Sequence, residues 1–361
     1  MTKARTNASA TPAVGRNMVI NGAMNVAQRA TSVTGIGASS IFATVDRWEI
    51  QTANSAGRLT MSQTADGPNG ISANCIKLDC TTADPSIAAN ESLNIVQQFE
   101  GQNLQRIGKG VAGAQQITVS FYVKASAAFD FVIEIKDDDN NRHICKLFST
   151  TTDWVRQEFI VPADVDDGSS PLDDNNASSL RMIFWLHSGT NATSGTLATA
   201  WADRTEANRA VGIDSFYSNT ANNFFLTGVQ MELGPVATEF EQEDIGVTLG
   251  KCQRYYQKWL ADTASDSMLT GGMISDTGFI GDYFLKTSMR AVPTLATTGT
   301  FAVRLKTNDR SLSSGPALNR ATPDTVQLSM TIGDNNESGF AGFLKCASND
   351  DDAFVEFIAE L

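Results

Sequence analysis

Side chains suited to acid–base or nucleophilic chemistry are few in this sequence. The only histidines are His143 and His187, and neither lies in a G-x-S-x-G or H-E-x-x-H motif. His187 follows a strand of buried pattern, so we expect it to be hydrogen-bonded in the interior. Paired carboxylates can cleave glycosides, but residues 130–174 hold twelve acids against four bases, a density typical of a solvated surface. No catalytic residue is predicted, and we expect a protein that is not an enzyme.

A cation site is the next candidate, because hard cations bind clustered carboxylate oxygens. Asp164 and Asp166 lie in the run D-V-D-D-G and are the predicted ligands of a structural Ca²⁺. The run lacks the spacing and the closing Glu of an EF-hand, and Pro162 and Pro171 bracket it. An ordinary polar loop is therefore the alternative, and no other cofactor is predicted.

Aromatic side chains in loops could bind sugars, because the flat apolar face of a sugar ring stacks on them. Trp201 and Tyr217 lie outside clean strand patterns and are the predicted ligand-binding residues. Each could equally cover the edge of a core or fill a subunit contact. Trp154, in T-D-W-V-R-Q-E-F, is predicted to be a core residue.

Composition limits the classes of partner. The 361 residues carry a formal net charge of −13, which disfavours nucleic acid and anionic membranes. No signal peptide or membrane span is predicted. Cys75 and Cys80 would be about 16 Å apart in one strand, too far for a disulfide. The five cysteines are expected to be reduced, which fits synthesis in a cytosol.

Period-2 alternation dominates the chain and predicts an all-β fold. Apolar residues alternate with polar ones over residues 117–123, 129–135, 229–233 and 326–332. In residues 180–186 both faces are largely apolar, so this strand is predicted to be central. Short strands joined by polar turns predict two antiparallel β-sandwich domains of jelly-roll-like type, joined by a short helical linker.

The domain boundaries follow from where this pattern pauses. A flexible arm is predicted over residues 1–15, a first sandwich over 16–241, a linker over 242–258 and a second sandwich over 259–361. Within the linker, Asp244 could cap a short helix running from Ile245 to about Gln253. Gly246 and Gly250 weaken this helix.

Several motifs together carry a family resemblance. They are N-M-V-I-N-G-A-M-N-V-A-Q-R at Asn17, T-V-D-R-W-E-I at Thr44, T-G-V-Q-M-E-L-G-P-V-A-T-E-F-E at Thr227, C-Q-R-Y-Y-Q-K at Cys252, M-R-A-V-P-T-L at Met289 and the closing F-I-A-E-L. In this order they resemble a family of tailed-bacteriophage virion proteins, fibre and structural components with a carbohydrate-binding-module-like sandwich near the start. The resemblance covers about residues 16–361.

The motif residues are predicted to hold the fold together. They are Asp46, Arg47, Trp48, Gln230, Glu232, Arg254, Tyr255 and Tyr256. Asn21-Gly22 is a turn dipeptide, and Gly228 within a strand indicates a bulge or a close approach of two backbones.

The resemblance implies a non-enzymatic component of a virion, assembled in the host cytoplasm and exposed on the particle. Its implied partners are other virion proteins, copies of itself in a homotrimer, and host surface glycans bound through multivalency. Two placements are open: a tail fibre or receptor-binding component, and a capsid-bound fibre or decoration protein. A polysaccharide depolymerase and a free carbohydrate-binding module are the alternatives from other classes.

Overall fold

The computed structural model describes residues 15–165, 171–261, 263, 266–333, 338–347, 350 and 352–361. The chain divides into two compact units, Met1–Thr248 with Leu361 (unit 1) and Leu249–Glu360 (unit 2). The predicted arm lies outside the described residues except for Gly15. Among the helices of the described residues, none has the length and apolar character needed to cross a membrane.

The described part of unit 1 consists mainly of β-strands. A short helix covers Thr190–Thr193, and 3-10 turns cover Gly101–Asn103, Gln105–Ile107, Glu206–Asn208 and Phe216–Ser218. The strands are β1 (Ser32–Ile36), β2 (Glu49–Ala53), β3 (Arg58–Thr64), β4 (Cys75–Thr82), β5 (Ser92–Glu100), β6 (Ile117–Ala125), β7 (Asp130–Asp137), β8 (Arg142–Ser149), β9 (Val155–Val161), β10 (Ser178–Ser188), β11 (Ala202–Asp203) and β12 (Asn223–Leu233).

These strands form two six-stranded sheets stacked face to face. The first sheet has the order β1-β3-β4-β12-β6-β9 and the second β11-β8-β7-β10-β5-β2. Alternate side chains of each sheet enter one shared core. There, Phe121 of the first sheet meets Phe184 of the second at 5.0 Å between ring centroids. Every pairing in the two sheets is antiparallel, which confirms the predicted fold class for this part of the chain.

The predicted central strand is present. β10 lies between β7 and β5, and its outer face is also covered, because Ile183 and Trp185 are buried in a second cluster with Ala192 and Ala210. β7 and β8 form a hairpin, in which Ile135 pairs with Ile144. The five cysteines are buried and none forms a disulfide.

The helix predicted near residue 245 covers Ile245–Gln253 and contains the point of division between the units. The Asp244 Oδ1 atom accepts a hydrogen bond of 2.8 Å from the Gly246 N–H, as a capping side chain does. The strands of unit 2 are β13 (Tyr256–Leu260), β14 (Ser267–Met273), β15 (Gly278–Phe284), β16 (Thr294–Thr298), β17 (Phe301–Leu305), β18 (Asn308–Ala321), β19 (Thr325–Ile332), β20 (Ala341–Cys346) and β21 (Phe354–Ile358).

Unit 2 differs from the predicted second sandwich. Six of its strands close into a barrel, β14-β15-β19-β18-β17-β20, and three form the sheet β13-β21-β16. Alternation tells which face of a strand is buried, but it does not tell whether the sheet closes on itself. Gly271 pairs with both Gly281 and Gly342, and residues without side chains allow the tight bending that closure requires.

Candidate functional site

Tyr217, a predicted ligand contact, is fully buried. Its ring packs against His187 at 5.2 Å and Phe216 at 5.5 Å between centroids. No sugar can stack on a ring that is enclosed in this way, so the prediction for Tyr217 was wrong. Its Ser/Asn-rich neighbourhood suggested an open loop, whereas the 3-10 turn Phe216–Ser218 inserts both aromatic rings into the core.

Trp201, the other predicted contact, is half-buried against the core. Its Nε1 atom donates a 2.9 Å hydrogen bond to the Pro162 carbonyl. The Lys109 ammonium lies 4.7 Å from the centre of its ring. Trp201 thus has part of its surface available, but one polar end and one ring face are already engaged.

Asp164, a predicted calcium ligand, is bound by cationic side chains of the chain itself. Lys109 Nζ lies 2.8 Å from Oδ2, and Arg142 donates to both carboxylate oxygens at 2.9 and 3.0 Å. Burial alone would raise the pKa of Asp164, but these hydrogen bonds and charges outweigh it and hold the pKa below its ordinary value. This pairing contradicts the predicted metal role of Asp164, and Asp166 lies outside the described residues.

His187 is hydrogen-bonded in the interior, as predicted, and joins three segments of unit 1. Its Nδ1 atom lies 2.8 Å from Ser215 Oγ, and its Nε2 atom lies 3.2 Å from Glu91 Oε2. This is the residue composition of a serine-hydrolase relay. His187 itself is fully buried, and burial lowers its pKa despite the opposing effect of Glu91.

A second buried polar cluster lies on the outer side of the second sheet. Glu134 accepts hydrogen bonds from Trp185 Nε1 at 2.8 Å and from Arg209 Nη2 at 3.0 Å, and it contacts His143 Nδ1 at 2.9 Å. Cys145 adds a thiol, so a Glu, a His and a Cys donor lie within 4.8 Å of one another. Burial raises the pKa of this thiol, and Arg209 already holds the carboxylate, so the donor set does not fit a metal ion.

The outer face of the first sheet carries a row of aromatic and cationic side chains, in which Trp154 is half-buried and Phe225 is 9% exposed. Phe225 on β12 pairs with Lys77 on β4 and with Lys124 on β6. The two ammonium groups lie 5.7 and 4.6 Å from the centre of the Phe225 ring. The Trp154 ring meets Phe225 edge-on at 6.2 Å. We call the row of Lys77, Phe225, Lys124 and Trp154 the open face.

Trp154 was predicted to be in the core, and the structure places it on the open face instead. Its Nε1 atom donates a 3.0 Å hydrogen bond to the Asp66 carbonyl. Strand alternation could have indicated this position. Phe159 and Val161 are buried, and Trp154 lies an odd number of residues from each of them. Its side chain is therefore expected on the opposite face of the sheet.

Carboxylates and a groove adjoin the aromatic rings. Lys124 Nζ lies 2.7 Å from Asp66, whose side chain is 54% exposed, and Lys77 Nζ lies 2.9 Å from Asp79. A groove of about 550 Å³ runs beside them, lined by Ala65, Gly67, Asn69, Gly70, Ile71, Ser72, Ala73 and Gln242. Aromatic rings, paired charges and a groove of this volume suit a hydroxyl-rich ligand of low net charge.

The motif residues of unit 1 meet one another although they are far apart in sequence. Trp48 Nε1 donates to the Asn21 carbonyl at 3.2 Å, and Asn21 Nδ2 donates to the Asp46 carbonyl at 3.1 Å. The Arg47 guanidinium, almost fully buried, donates to the Gln98 carbonyl at 2.7 Å. The first two motifs therefore form one buried hydrogen-bond network.

The motif that starts at Thr227 contacts the N-terminal motif that starts at Asn17. Asn17 Nδ2 donates to the Val229 carbonyl at 3.1 Å. Gln230 Nε2 donates to Glu232 Oε1 at 2.8 Å, and Glu232 is also 3.1 Å from Arg16 Nε. Three sequence motifs of unit 1 are thus brought together by side-chain hydrogen bonds.

The motifs of unit 2 meet in the same manner. The Arg290 N–H donates to the Arg254 carbonyl at 2.7 Å, and the Arg290 guanidinium donates to the carbonyls of Ala359 and Glu360. Tyr255 and Tyr256, which follow Arg254 in the sequence, are both buried. The motifs at Cys252 and Met289 and the closing segment are therefore in contact.

Comparison with known proteins gave matches only among solved structures. No family model matches this chain, and no curated protein does. A CBM4 structure matches over 59% of this chain and 98% of its own, at 12% identity and a TM-score of 0.32. TmCBM61 in complex with β-1,4-galactotriose matches over 61% of this chain and 99% of its own, at 9% identity and a TM-score of 0.31.

A phage protein is also among the matches. The enzymatically active domain of tailspike protein 4 of bacteriophage CBA120 matches over 61% of this chain, at 10% identity and a TM-score of 0.31. The matched part is 22% of that protein's chain. The solved structures to which this chain is similar thus include carbohydrate-binding modules and a phage tailspike domain.

Proposed function

We propose that this chain is a non-enzymatic structural protein of a tailed-bacteriophage particle, a fibre or receptor-binding component that binds host surface glycans. The observation that carries glycan binding is the open face. The half-buried Trp154 ring supplies an apolar surface and packs against the buried Phe225 ring, while Lys77 and Lys124 lie beside the carboxylates of Asp79 and Asp66. Two ammonium groups and two carboxylates balance in charge, so the preferred ligand is a neutral sugar chain.

The particle role is supported by the motifs and by their arrangement. The segments that resemble the virion family form hydrogen-bond networks in each unit, so they act as structural signatures. In this proposal the chain assembles in the host cytoplasm, most simply as a homotrimer. Trimeric copies convert weak contacts to glycans into firm attachment through multivalency.

Sugar binding is expected to depend on Trp154. Against an array of bacterial surface polysaccharides, the whole chain should bind at least one neutral glycan, and Trp154→Ala should weaken that binding about tenfold, or about 1.4 kcal/mol. Trp201→Ala is the matched control, because it makes the same change at another half-buried tryptophan. Its affinity is expected to stay within about twofold of wild type, a difference of less than 0.5 kcal/mol by the same relation.

Two outcomes of the array would contradict the proposal. One is the absence of binding to every glycan, and the other is an equal loss in both variants. Isothermal titration of the best array glycan gives the affinities, and circular dichroism checks that each variant is folded.

Antibody labelling of intact particles in the electron microscope tests the particle role. The proposal expects label at the tail tip or along fibres, whereas label over the shell would favour a capsid-bound fibre or decoration protein. Particles that carry no label would contradict both placements and favour a free carbohydrate-binding module.

A hydrolase is the second candidate function, and the relay of Ser215, His187 and Glu91 favours it. Incubation with the bound polysaccharide and assay of reducing ends and released acetate separate the two functions. Product formed by the wild type and lost in Ser215→Ala would establish a hydrolase and contradict the non-enzymatic proposal.

A further inference from the structure

A second groove lies on the barrel of unit 2. It has a volume of about 590 Å³ and is lined by Thr270, Gly271, Arg304, Lys306, Ala341, Gly342 and Phe343. This volume lies within the range typical of small-ligand sites. The open face belongs to unit 1, and the two sites share no residue.

The strand register shows which side chains face outward here. Phe343 on β20 pairs with Thr270 on β14 and with Arg304 on β17. Their sequence neighbours Val303 and Leu344 are fully buried in the barrel core. Because side chains alternate along a strand, Thr270, Phe343 and Arg304 form one row on the outer surface.

The groove is positively charged on a chain whose net charge is −13. Arg304 has a side chain that is 38% exposed, and Lys306 is exposed beside it. Among the described residues, the acidic neighbour that pairs with Arg304 is Asp309, which lies 3.4 Å from Arg304 Nε and also 3.1 Å from Lys345 Nζ. Asp309 is thus shared between two cations, and the groove retains positive charge for an anionic ligand.

The turn at Lys306 and the Phe340 ring form one rim of the groove. Lys306 has φ = +55°, a left-handed conformation that is uncommon for residues with a side chain and is found most often in turns and at functional sites. Its ammonium lies 3.8 Å from the centre of the Phe340 ring. The hairpin tip therefore holds a cation beside an aromatic ring at the rim of the groove.

We propose that this groove binds an acidic saccharide, a chain of sugars that carry carboxylates. Arg304 contacts Asp309 through Nε and the Thr307 carbonyl through Nη2, and its five N–H donors leave capacity for hydrogen bonds to a ligand carboxylate. Lys306 adds a second positive charge. The Phe343 ring offers a surface to the apolar face of a sugar ring, and the Thr270 hydroxyl can exchange hydrogen bonds with sugar hydroxyls. The ligand differs in charge from the neutral glycan proposed for the open face.

Titration of the whole chain with trigalacturonate tests this inference. We expect saturable binding that weakens as salt is raised from 50 to 500 mM. Arg304→Ala/Lys306→Ala should lower the affinity at least tenfold. The matched control, Arg320→Ala/Lys286→Ala, removes one Arg and one Lys that are exposed elsewhere on unit 2, and it should bind within twofold of wild type.

The same titration with other ligands tests whether a carboxylate is recognised and whether this groove is the site. The methyl ester of trigalacturonate, which is neutral, should bind at least tenfold more weakly than the acid. Equal binding of the ester, or tighter binding of a sulfated trisaccharide, would overturn carboxylate recognition. The absence of binding at millimolar trigalacturonate, or an equal loss in the control variant, would overturn the site.

One variant separates this inference from the proposed function. Trp154→Ala should bind trigalacturonate as the wild type does, because it alters only the open face. If Trp154→Ala alone abolished this binding, the groove assignment would fail while glycan binding by the open face would stand. Thermal unfolding of Arg304→Gln/Lys306→Gln, which keeps most of the side-chain volume, checks that loss of binding does not reflect loss of the fold.

Discussion

Replacing Glu134 with alanine is expected to lower the free energy of unfolding of unit 1 by about 3–5 kcal/mol. Glu134 is fully buried, and its carboxylate accepts hydrogen bonds from Trp185 and Arg209 and contacts His143. The alanine variant leaves the Arg209 guanidinium, whose side chain is only 12% exposed, without its main partner. An unpaired charge at this depth is more costly than the lost contacts alone.

The matched control for this prediction is Glu206→Ala. Glu206 also binds Arg209, at 2.9 Å, but its side chain is 54% exposed, so its loss should cost no more than about 0.5 kcal/mol. Urea unfolding followed by tryptophan fluorescence measures both variants, because Trp185 lies in the cluster. Equal stabilities of the two variants would show that the buried network contributes nothing beyond a surface ion pair.

Acid provides a second measurement of the same carboxylate. Burial alone raises the pKa of Glu134, but the hydrogen bonds from His143 and Arg209 outweigh it and hold the pKa below its ordinary value. The stability that Glu134 contributes is therefore complete above about pH 4.3, the ordinary pKa, and is lost as pH falls through the lower folded value. Below about pH 4, the wild type should lose more stability than Glu134→Gln.

The layered architecture of unit 1 could be predicted because strand periodicity has a direct physical cause. In β6, Val119, Phe121 and Val123 alternate with polar residues, and each enters the core between the sheets. In β10 both sets are apolar because Ile183 and Trp185 meet a second buried cluster. Periodicity does not encode sheet closure, so the barrel of unit 2 was missed.

The candidate site was harder to predict, because a ring's environment depends on residues distant in sequence. Tyr217 and Trp154 were assigned to the wrong environments: Tyr217 is buried beside His187, and Trp154 reaches the open face beside Lys124. The acids posed the same difficulty. Asp164 stands in an acid-rich run that suggested a cation site, but the fold supplies Lys109 and Arg142 as its partners.

Gly22 and Gly228 show why two of the family-like motifs contain glycine. Asn21-Gly22 was predicted as a turn, and Gly228 as a bulge or a close approach of two backbones. In the structure, the Val229 N–H donates to the Gly22 carbonyl at 3.0 Å, and the register of β12 shifts between Thr227 and Gln230. The N-G and T-G-V-Q motifs therefore belong to one contact between two backbone segments.

Gly22→Ala is expected to destabilise unit 1 by about 2–3 kcal/mol. A Cβ at this position would lie 2.1 Å from the Val229 carbonyl oxygen, far inside contact distance. That oxygen cannot move aside cheaply, because it is backbone and also accepts the hydrogen bond from Asn17 Nδ2. Relief of the clash must separate the first motif from β12, and urea unfolding followed by tryptophan fluorescence measures the cost.

Gly250→Ala is the matched control and should have the opposite sign. Gly250 lies within the helix Ile245–Gln253, and a Cβ there would meet nothing within 4 Å. Alanine in a helix is favoured over glycine by about 0.5–1 kcal/mol, so this variant should be slightly stabilised. A Gly22→Ala protein as stable as wild type would show that the two backbones separate at no cost, and the motif glycine would then need an explanation other than close packing.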